Sequence, residues 1–589
     1  MTLWTKKYSR YGLLNQTIKL LDLLLEEITE KNLFDLNKYG LSKEIIKDVF
    51  RPTFHLSLNI FIERLVRVNN FKNSIHKKNY LKTNYPLYEN SINYFLDCYY
   101  NVELNEKLIS DLSNILNKEN PEEYKIKEKE ISIKKNFFFS DSKFYLRIFE
   151  SYLNRAKNRI FENLFITNRR RIVYDGTMWM SPLLKNCIKF NNNNELIYKK
   201  NNDLRTIIYK KLENFFYNKS EINQIINIID DKKYSQISKL FSKWIVSSIP
   251  LSLFEGFDKN YKYYYNFFAN KDLEEIHATT ELLFNDKFKI FVSIFKNKNI
   301  PIIVHDHGVC NFSKYFDDNE NHRYTKMMPL LKFSDYYFAW GKSKKIDRWQ
   351  NVEKKFETKI FNFGSIYLNS LKTNNKIINL EKRPLKIFYA SAPFKKYMAI
   401  LDEITPEESL IHKKKISNFI ERIINNFDVE FVYKNFHSTL NQYESDPIVN
   451  YLYKYILNGK IKLTMEKPIK IMSQFDIILL DVLSTTFAET ISMKLPSLIF
   501  SNKFDYSILC KDGKKINDDL EKNKILFYDE GAAFNCFQLL IKGYKNYFNI
   551  NSKIFLKYQE SIAYPQELKI LKKNLDKVRL EDFNREKKP

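Results

Sequence analysis

The sequence PIIVHDHGVCN, at residues 301–311, is an apolar run that leads directly into the polar string His-Asp-His-Gly. An apolar strand that ends on small or proton-handling residues is typical of the carboxyl edge of an open α/β sheet, where ligands bind. A second junction of this kind, DIILLDVLSTTFAETISMKLPSLIF, lies at residues 476–500. Two such junctions in separate halves of the chain predict an enzyme that binds a phosphorylated donor between two α/β domains.

The pattern of apolar residues divides the chain into a helical part and two α/β parts. Residues 14–34 and 56–68 repeat apolar side chains at three- and four-residue steps, which predicts amphipathic helices. From about residue 170, short β-branched and aromatic runs alternate with helical segments, as in parallel sheets with crossover helices. We therefore predict an α/β protein with two Rossmann-like, doubly wound domains. The predicted divisions are a helical region at 1–165, Rossmann-like domains at 166–378 and 379–550, and a helical tail at 551–589 that packs back across the first half.

The charge of the chain is strongly positive. Its 96 basic and 70 acidic residues give a net charge of +26, which suits a partner that is anionic. The basic residues are spread along the whole chain, without a basic tail, a zinc-finger spacing or an RNP spacing. We therefore expect no nucleic-acid partner. Loose attraction to an anionic membrane surface stays open.

The cysteines and the apolar segments bear on the compartment. The five cysteines are odd in number, far apart and without a CxxC pair, so neither a disulfide framework nor a cysteine zinc site is predicted. The first twelve residues, MTLWTKKYSRYG, lack the apolar region of a secretory signal. No stretch approaches the ~18 apolar residues of a membrane span. We expect a soluble protein in a reducing cytoplasm, at most peripheral to the membrane.

His307 is the first candidate catalytic residue. A neutral imidazole at a strand end can take a proton from an attacking hydroxyl near pH 7, and Gly308 leaves room for a substrate beside the backbone. Asp306 alternates away from His307 along the strand, and His305 is predicted to be buried. The alternative is a histidine that only caps the strand through hydrogen bonds.

Two further positions in the second half could bind phosphate. Lys434 and His437 follow a central strand three residues apart, so both could donate charge-assisted hydrogen bonds to phosphoryl oxygens. Ser484, Thr485 and Thr486 begin a helix whose free amides and positive end suit a diphosphate. The alternatives are ordinary exposed cations in the first case and a simple capping box in the second.

The remaining motifs narrow the chemistry. Glu489 lies one turn along the helix that begins near Ser484, and it could accept hydrogen bonds from ribose hydroxyls. Gly364 and Ser365 follow another strand, where glycine permits a close backbone approach. No GxGxxG, GxxxxGK[ST] or GxSxG motif occurs, which argues against dinucleotide-binding dehydrogenases, P-loop NTPases and serine hydrolases. The histidine and carboxylate spacings predict no metal site, and no cofactor is expected.

At these residues the chain resembles the GT-B glycosyltransferases, and most closely a family of transferases found in bacterial surface-polysaccharide loci. It is more distantly similar to CDP-glycerol glycerophosphotransferases and capsule Kdo transferases. The family's Gln-His-Gly-Gly strand end corresponds to the segment that ends at His307 and Gly308, with Val309 in place of the second glycine. Its Tyr-hydrophobic-Thr-Trp-Gly strand, Leu-Gly-Ser/Asn-hydrophobic turn, Ala-Thr-Thr-hydrophobic-x-Glu helix and Met-x-hydrophobic-Pro segment correspond to residues 337–341, 363–366, 484–489 and 493–496.

The resemblance implies roles for the candidate residues. His307 would be the general base of an inverting transfer, and Asp306 is the second candidate catalytic residue. By this similarity the first Rossmann-like domain would bind the acceptor and the second the nucleotide donor. The donor phosphate would be held by Lys434, His437, Ser484, Thr485 and Thr486, and the ribose would meet Glu489. Gly308, Gly364 and Ser365 are the other candidate donor-binding residues. GT-B enzymes generally need no bound metal.

The predicted function is therefore a glycosyltransferase. It would move a sugar from a nucleotide-activated donor, for example a CMP-linked acid sugar, to a hydroxyl of a capsule, lipopolysaccharide or lipid-linked glycan. The expected location is the cytoplasm, at the inner face of the cell membrane. Two alternatives stay open: a polyol-phosphate transferase of the CDP-glycerol type with the same fold, and a non-catalytic scaffold protein of a polysaccharide assembly complex.

Overall fold

The structure is a computed structural model that describes most of the 589 residues. The described residues are 10–70, 85–117, 171–174, 188–190, 198–218, 231–269, 273–306, 328–341, 356–371, 383–399, 401, 403–434, 446–464, 466–507, 509, 511–562 and 566–578.

The first half begins with helices and continues with a sheet. Its elements are α1 (Arg10–Glu30), α2 (Lys43–Asn70), α3 (Ser91–Tyr100), α4 (Val102–Asn117), β1 (Arg171–Tyr174), β2 (Ile188–Lys189), α5 (Asn202–Asn218), α6 (Asp231–Ser248), α7 (Phe257–Phe268), β3 (Leu273–Ala278), α8 (Glu281–Phe284), α9 (Asp286–Lys296), β4 (Ile302–His305), α10 (Met328–Phe333), β5 (Tyr336–Ala339), β6 (Lys359–Asn362) and α11 (Ile366–Asn369), with a short 3-10 helix at Asn37–Tyr39.

The second half alternates strands and helices. Its elements are β7 (Leu385–Ala390), α12 (Pro406–Asn426), β8 (Val429–Lys434), α13 (Pro447–Tyr451), α14 (Tyr453–Leu457), β9 (Ile461–Thr464), α15 (Pro468–Ile471), a 3-10 helix (Met472–Gln474), β10 (Ile477–Leu480), α16 (Thr485–Met493), β11 (Ser497–Phe500), α17 (Lys503–Ser507), α18 (Lys511–Lys522), β12 (Leu526–Phe527), α19 (Glu530–Lys542), α20 (Tyr544–Ile562) and α21 (Leu568–Val578).

Each half contains a six-stranded sheet in which all described neighbours pair in parallel. The strand order is β2-β1-β3-β4-β5-β6 in the first sheet and β12-β11-β10-β7-β8-β9 in the second. Every residue of β4, β5, β10 and β11 is buried, as expected for strands that are covered by helices on both faces. The predicted fold class, two Rossmann-like domains of the GT-B type with an N-terminal helical region, is confirmed.

The order of the second sheet creates a topological switch point. The chain enters at β7 in the middle, adds β8 and β9 on one side, and then returns to add β10, β11 and β12 on the other. In open α/β sheets of this kind, ligands bind beyond the carboxyl ends of the strands on either side of the reversal. The two strands concerned are β7 and β10, which pair directly.

Local sequence signals set the ends of the helices around this switch point. Thr405 and Glu408 form a reciprocal capping box, and Pro406 occupies the first position of α12, where its missing amide is harmless. At the far end of α16, Lys494 adopts a left-handed conformation (φ 57°) and ends the helix before Pro496. The capping box therefore fixes where α12 begins near the carboxyl edge, and Lys494 fixes where α16 ends before β11.

The N-terminal helices pack as a layer on the first sheet. Their apolar side chains belong to one continuous core that also includes residues of β3, β4 and β5, such as Ile276, Val304 and Tyr337. The same core takes in Met398 and Leu401, which belong to the loop between β7 and α12. The helical layer therefore contacts both halves of the molecule.

Polar contacts fix the β7–α12 loop on this helical layer. The guanidinium of Arg64 in α2 is fully buried, and its Nη1 donates to the carbonyl of Met398 at 2.9 Å. Its Nη2 donates to Oδ1 of Asn105 at 2.7 Å. The amide of Leu401 donates to Oδ1 of Asn59 at 3.2 Å, and the amide of Tyr397 donates to the carbonyl of Tyr99, also at 3.2 Å. The helices thereby hold a loop that begins at the switch point.

Of the three predicted domain boundaries, the one at residue 550 lies within the described residues. The boundaries near residues 165 and 378 lie outside the described residues. Helix α20 runs without a break through residue 550, where the tail was predicted to start. Beyond it, the amide of Gln566 donates to the carbonyl of Ser365 at 3.2 Å, so the tail contacts the first half. Within the described part of the chain, no helix combines the length and apolarity that crossing a bilayer requires.

The Arg64 contacts generate a stability prediction. In Arg64→Leu, the carbonyl of Met398 and Oδ1 of Asn105 lose buried donors, which should destabilise the fold by roughly 3 kcal/mol and release the loop. We expect a lower Tm and new tryptic cleavage at Lys395 and Lys396. Arg64→Lys, which keeps the charge but not the planar donors, should give an intermediate result.

The matched control for this variant is Lys454→Leu. Lys454 is exposed and pairs with Glu421 at 2.7 Å, an arrangement that usually contributes less than about 1 kcal/mol. Its Tm and its tryptic pattern should remain those of the wild type. Equal Tm losses in the Arg64 and Lys454 variants would contradict the proposed anchoring of the loop.

Candidate functional site

The carboxyl edge of the second sheet is organised by one buried carboxylate, that of Asp481. It follows β10 directly and lies 3% exposed. Oδ2 accepts from Nζ of Lys413 at 2.8 Å and from the hydroxyl of Tyr389 at 3.0 Å, while Oδ1 accepts from the amide of Ala392 at 2.7 Å. The hydroxyl of Ser391 lies 3.1 Å from Oδ2. Asp481 therefore ties the end of β10 to the end of β7 and to α12, on both sides of the switch point.

The charge state of this cluster follows from its contacts. Burial opposes ionisation of Asp481, but the charge of Lys413 and its hydrogen bond outweigh burial and lower the pKa of the carboxyl. Lys413 is itself 2% exposed and also donates to the carbonyl of Ala392 at 2.6 Å. A buried ion pair whose remaining hydrogen-bonding positions are filled holds its geometry well, because removal of either partner leaves an unpaired buried charge.

The helix that follows Asp481 starts with unused donors. Ser484 is the N-cap of α16, yet its side chain makes no capping hydrogen bond. The backbone amides of Thr485 and Thr486 occupy the first turn, where an α-helix supplies no acceptor of its own. These three residues are half-buried. The capping-box alternative fails, because Glu489 lies five positions after the cap and points elsewhere.

Glu489 contacts the first half of the molecule. Its Oε1 accepts from the hydroxyl of Tyr367 in α11 at 2.5 Å. The carboxyl is 7% exposed, and burial raises its pKa to about 7 in spite of the hydrogen bond from Tyr367. Burial, and then the neighbouring Glu489, raise the pKa of Tyr367 far above its ordinary value. The contact joins a helix at the carboxyl edge of the second sheet to a turn at the carboxyl edge of the first.

That turn contains Gly364 and Ser365. Gly364 has a positive φ of 89°, and its amide donates to the carbonyl of Ala339 at 3.0 Å. Ser365 is the buried N-cap of α11, and its hydroxyl accepts from the amide of Leu368 at 3.3 Å. Both residues therefore lie beside Tyr367, where the two halves meet. Their described contacts shape the turn.

A short chain of contacts connects the end of β4 to Glu489. Asp306, the residue before His307, is buried, and its Oδ2 accepts from the amide of Trp340 at 3.4 Å. The ring of Trp340 lies 6.3 Å from that of Tyr367, centroid to centroid, and packs in one apolar cluster with residues around β7 and α16. The carboxyl edges of the two sheets are thus in contact through Trp340 and Tyr367.

Lys434 lies at the far end of β8, one strand away from β7. It is half-buried, and this burial lowers the pKa of its ammonium group. Its backbone pairs with Ala390 on one side and Thr464 on the other. Lys434 is therefore at the same edge as Ser391 and Asp481.

His307, Gly308 and His437 lie outside the described residues, as does Val309. Among the residues that are described, no group of three or more histidine, cysteine, aspartate or glutamate side chains could hold a metal ion.

Two residues of this region, Lys413 and Tyr367, were not among the site residues predicted from the sequence. Lys413 lies in a run of three lysines, which suggests a solvated surface, although the apolar spacing of α12 turns this one lysine inward. Tyr367 follows the predicted Gly-Ser turn by two residues. Neither contact is local in sequence, because each joins residues at least 68 positions apart.

The raised pKa of Glu489 predicts a pH-dependent stability. A carboxyl whose pKa rises from 4.5 in the unfolded chain to about 7 in the fold stabilises the protein fully below pH 4.5 and loses that stabilisation as the pH rises through 7. The loss is on the order of 3 kcal/mol. Glu489→Gln cannot ionise, so its Tm should fall less than that of the wild type between pH 5.5 and pH 8.

A matched carboxyl serves as the control for Glu489. Glu421→Gln removes an exposed carboxyl whose hydrogen bond to Lys454 lowers its pKa, so it should keep the wild-type pH dependence over this range. The prediction is wrong if Glu489→Gln and the wild type lose the same Tm between the two pH values.

Comparisons with known proteins identify the family to which the chain belongs. No curated protein matches the chain. One similar solved structure is the UDP-GlcNAc 2-epimerase from Neisseria meningitidis bound to UDP-GlcNAc, with 11% identity, coverage of 70% of this chain and 100% of that chain, and a TM-score of 0.37. Acinetobacter baumannii MurG is similar with 7% identity, coverage of 69% of this chain and 100% of that chain, and a TM-score of 0.35. A UDP-forming trehalose-phosphate synthase from Burkholderia xenovorans has 8% identity, coverage of 70% of this chain and 99% of that chain, and a TM-score of 0.37. A family model described as "LIC12162 family transferase" matches residues 42–535, and this chain belongs to that family.

Proposed function

We propose that this protein is a glycosyltransferase that moves a sugar from a nucleotide-activated donor to a hydroxyl of a surface polysaccharide or lipid-linked glycan. The observation that carries the proposal is the contact between the two sheet edges, in which Glu489 of the second half accepts from Tyr367 of the first. The uncapped start of α16 lies on the same helix, at the switch point. Membership in a transferase family supports the reaction class.

The donor phosphates are proposed to bind at the start of α16. The amides of Thr485 and Thr486 and the positive end of the helix dipole favour an anion there. The hydroxyl of Ser484 is not used for capping, so it can donate to the same anion. Lys434, at the same sheet edge, would add a charge-assisted hydrogen bond to a phosphoryl oxygen. His437 is proposed as the second cationic donor.

The nucleoside is proposed to meet Glu489. A ribose hydroxyl that replaces the hydroxyl of Tyr367 would keep one hydrogen bond to Oε1 while freeing the turn around Gly364 and Ser365. Since the pKa of Glu489 is about 7, the fraction of Glu489 in the carboxylate form increases as the pH rises above neutrality. The carboxylate accepts hydrogen bonds from two hydroxyls better than the protonated carboxyl does. Donor affinity should follow that ionisation.

The acceptor is proposed to bind at the carboxyl edge of the first sheet. There His307 would take the proton from the attacking hydroxyl, with Gly308 leaving space beside it. The carboxyl of Asp306 points to the amide of Trp340, a contact that supports a positioning role for this residue. The negative charge of the leaving nucleotide would then be stabilised by the N-terminus of α16 in the second half. No metal or cofactor is assigned in this scheme.

The remaining assignments concern the cellular setting. The net charge of +26 supports attraction to an anionic membrane surface, where a lipid-linked acceptor would be found. Capsule or lipopolysaccharide synthesis at the inner face of the cell membrane is the proposed role. No nucleic-acid partner is proposed.

The donor site predicts a pattern of thermal stabilisation. Among CMP, CDP, UDP and GDP, the nucleotide of the true donor at 100 times its Kd should stabilise the fold by about 2.7 kcal/mol and raise the Tm. Loss of a charge-assisted hydrogen bond costs about 1.5–3 kcal/mol. Lys434→Met should therefore weaken the binding of that nucleotide by roughly 10- to 100-fold.

Lys462→Met is the matched control for this experiment. Lys462 lies on the neighbouring strand β9, is mostly exposed and pairs with Glu430 at 3.5 Å, so its loss should not change nucleotide affinity. The donor site is wrong if no nucleotide shifts the Tm, or if the two lysine variants bind nucleotide equally well.

Product analysis tests the reaction itself. We expect turnover of a sugar nucleotide to form a glycosidic bond and to release the nucleotide. A phosphodiester in the product would instead identify a polyol-phosphate transferase. Full glycan display by a strain that carries His307→Ala would contradict the proposed catalytic role.

A further inference from the structure

Three ionisable side chains form a buried, hydrogen-bonded row beneath the carboxyl edge of the first sheet. Oε2 of Glu275 lies 2.9 Å from Nε2 of His277, and Nδ1 of His277 lies 2.8 Å from Nε2 of His305. The exposed fractions are 2%, 0% and 7%. No part of the mechanism above uses these groups.

Strand geometry brings the three residues together. Glu275 and His277 are two residues apart on β3, so they share one face of the sheet. His277 pairs with Ile303 of the adjacent strand β4, and His305 lies two residues beyond Ile303 on that strand. The imidazole rings of His277 and His305 stack at 28° with centroids 5.1 Å apart. The regular pairing of β3 with β4 is therefore enough to align the three side chains.

Two aromatic rings of the described residues pack against His305. Phe338 and Phe363 contact its ring edge to face, at 5.2 and 5.9 Å between centroids. Two other carboxyls of this sheet edge have partners of their own: Oδ2 of Asp306 accepts from the amide of Trp340, and Oε2 of Glu281 accepts from the amide of Thr279.

Hydrogen-bond chemistry fixes where the protons lie in this chain. An ionised Glu275 can only accept, so Nε2 of His277 must carry a proton, and in a neutral His277 the other ring nitrogen, Nδ1, is then an acceptor. Nε2 of His305 then donates to that acceptor, which leaves Nδ1 of His305 as a free base. If Glu275 instead holds a proton, every bond reverses: Nε2 of each imidazole accepts, and Nδ1 of both His277 and His305 carries a proton. The two patterns differ by one proton, which enters at Nδ1 of His305 and leaves Glu275 protonated.

We propose that Glu275, His277 and His305 form a proton relay that carries the proton released by the attacking hydroxyl away from the carboxyl edge of β4. The proposal rests on the transferase function above and extends it to residues beneath the site. A proton that arrives on Nδ1 of His305 displaces the Nε2 proton onto Nδ1 of His277. The Nε2 proton of His277 then moves to Oε2 of Glu275, so both imidazoles end neutral and the carboxyl is protonated.

The environment of the relay favours transfer over storage. Burial holds the pKa of His305 well below its usual range, so a charged imidazole is unstable at this position. A carboxylate at the far end loses its charge on taking the proton, which a low-dielectric interior favours. The relay therefore neutralises a buried charge when the reaction releases a proton.

A carboxyl-to-amide substitution tests the relay. Glu275→Gln keeps an acceptor for Nε2 of His277 but cannot take up a proton. In the full-length enzyme, we expect kcat to fall roughly 10- to 100-fold, within the range of general-base effects, while the KM for the donor is unchanged. The pH profile of kcat should also lose part of its rise from the acid side. Unchanged kcat and an unchanged profile would overturn the relay.

His55→Gln is the control variant for the same assay. His55 in α2 is similarly buried, and its Nε2 has no hydrogen-bond partner among the residues that the structure describes, so it is not part of the relay. Burial, and then the charge of Arg51, lower its pKa to about 4, so it is neutral throughout the assay. We expect kcat and the pH profile of the wild type in this variant.

Nitrogen-15 NMR of histidine-labelled protein tests the relay without turnover. At pH 7, His277 and His305 should both be neutral with the proton on Nε2, and the variants His277→Gln and His305→Gln assign the two signals. An imidazolium, or a proton on Nδ1 of His305, would overturn the relay in an otherwise active enzyme. A wild type with both predicted tautomers that turns over no donor would contradict the transferase function instead.

Discussion

The hydrogen bond between Tyr367 and Glu489 joins the two halves of this molecule at the place where both sheets end. Parallel strands deliver all their carboxyl ends to one edge, so each sheet offers one row of loops. Trp340 and Tyr367 belong to that row in the first sheet, and Glu489 follows it in the second. Because the two rows meet, groups from either half can act on one ligand, which neither Rossmann-like domain could achieve alone.

Buried polar interactions on both sides of the Tyr367–Glu489 contact fix the surrounding strand ends and loops. On one side, the buried pair of Lys413 and Asp481 fixes the ends of β7 and β10, between which a ligand is expected. On the other, the guanidinium of Arg64 holds the loop that follows β7. The N-terminal helices are therefore more than an added layer, since they support the switch point from outside. Glu489, with its pKa of about 7, is the one member of the contact whose charge changes near neutrality.

The sequence predicted the architecture well and the site only in part. The strands of the second sheet lie in the part of the chain where short β-branched and aromatic runs were predicted to alternate with helices, because burial on both faces leaves a local signature. Contacts between distant residues leave none. His277 was not singled out in the sequence, although Glu275 and His277 share a face of β3 by simple alternation. A Glu-x-His pair on one buried strand is a signal that could have indicated the relay.

An experimental structure with the nucleotide that binds most tightly tests the meeting of the two sheet edges most directly. We expect its phosphates within hydrogen-bond distance of the amides of Thr485 and Thr486, and its ribose at Oε1 of Glu489 in place of the hydroxyl of Tyr367. A nucleotide bound away from the carboxyl edges of both sheets would contradict the account.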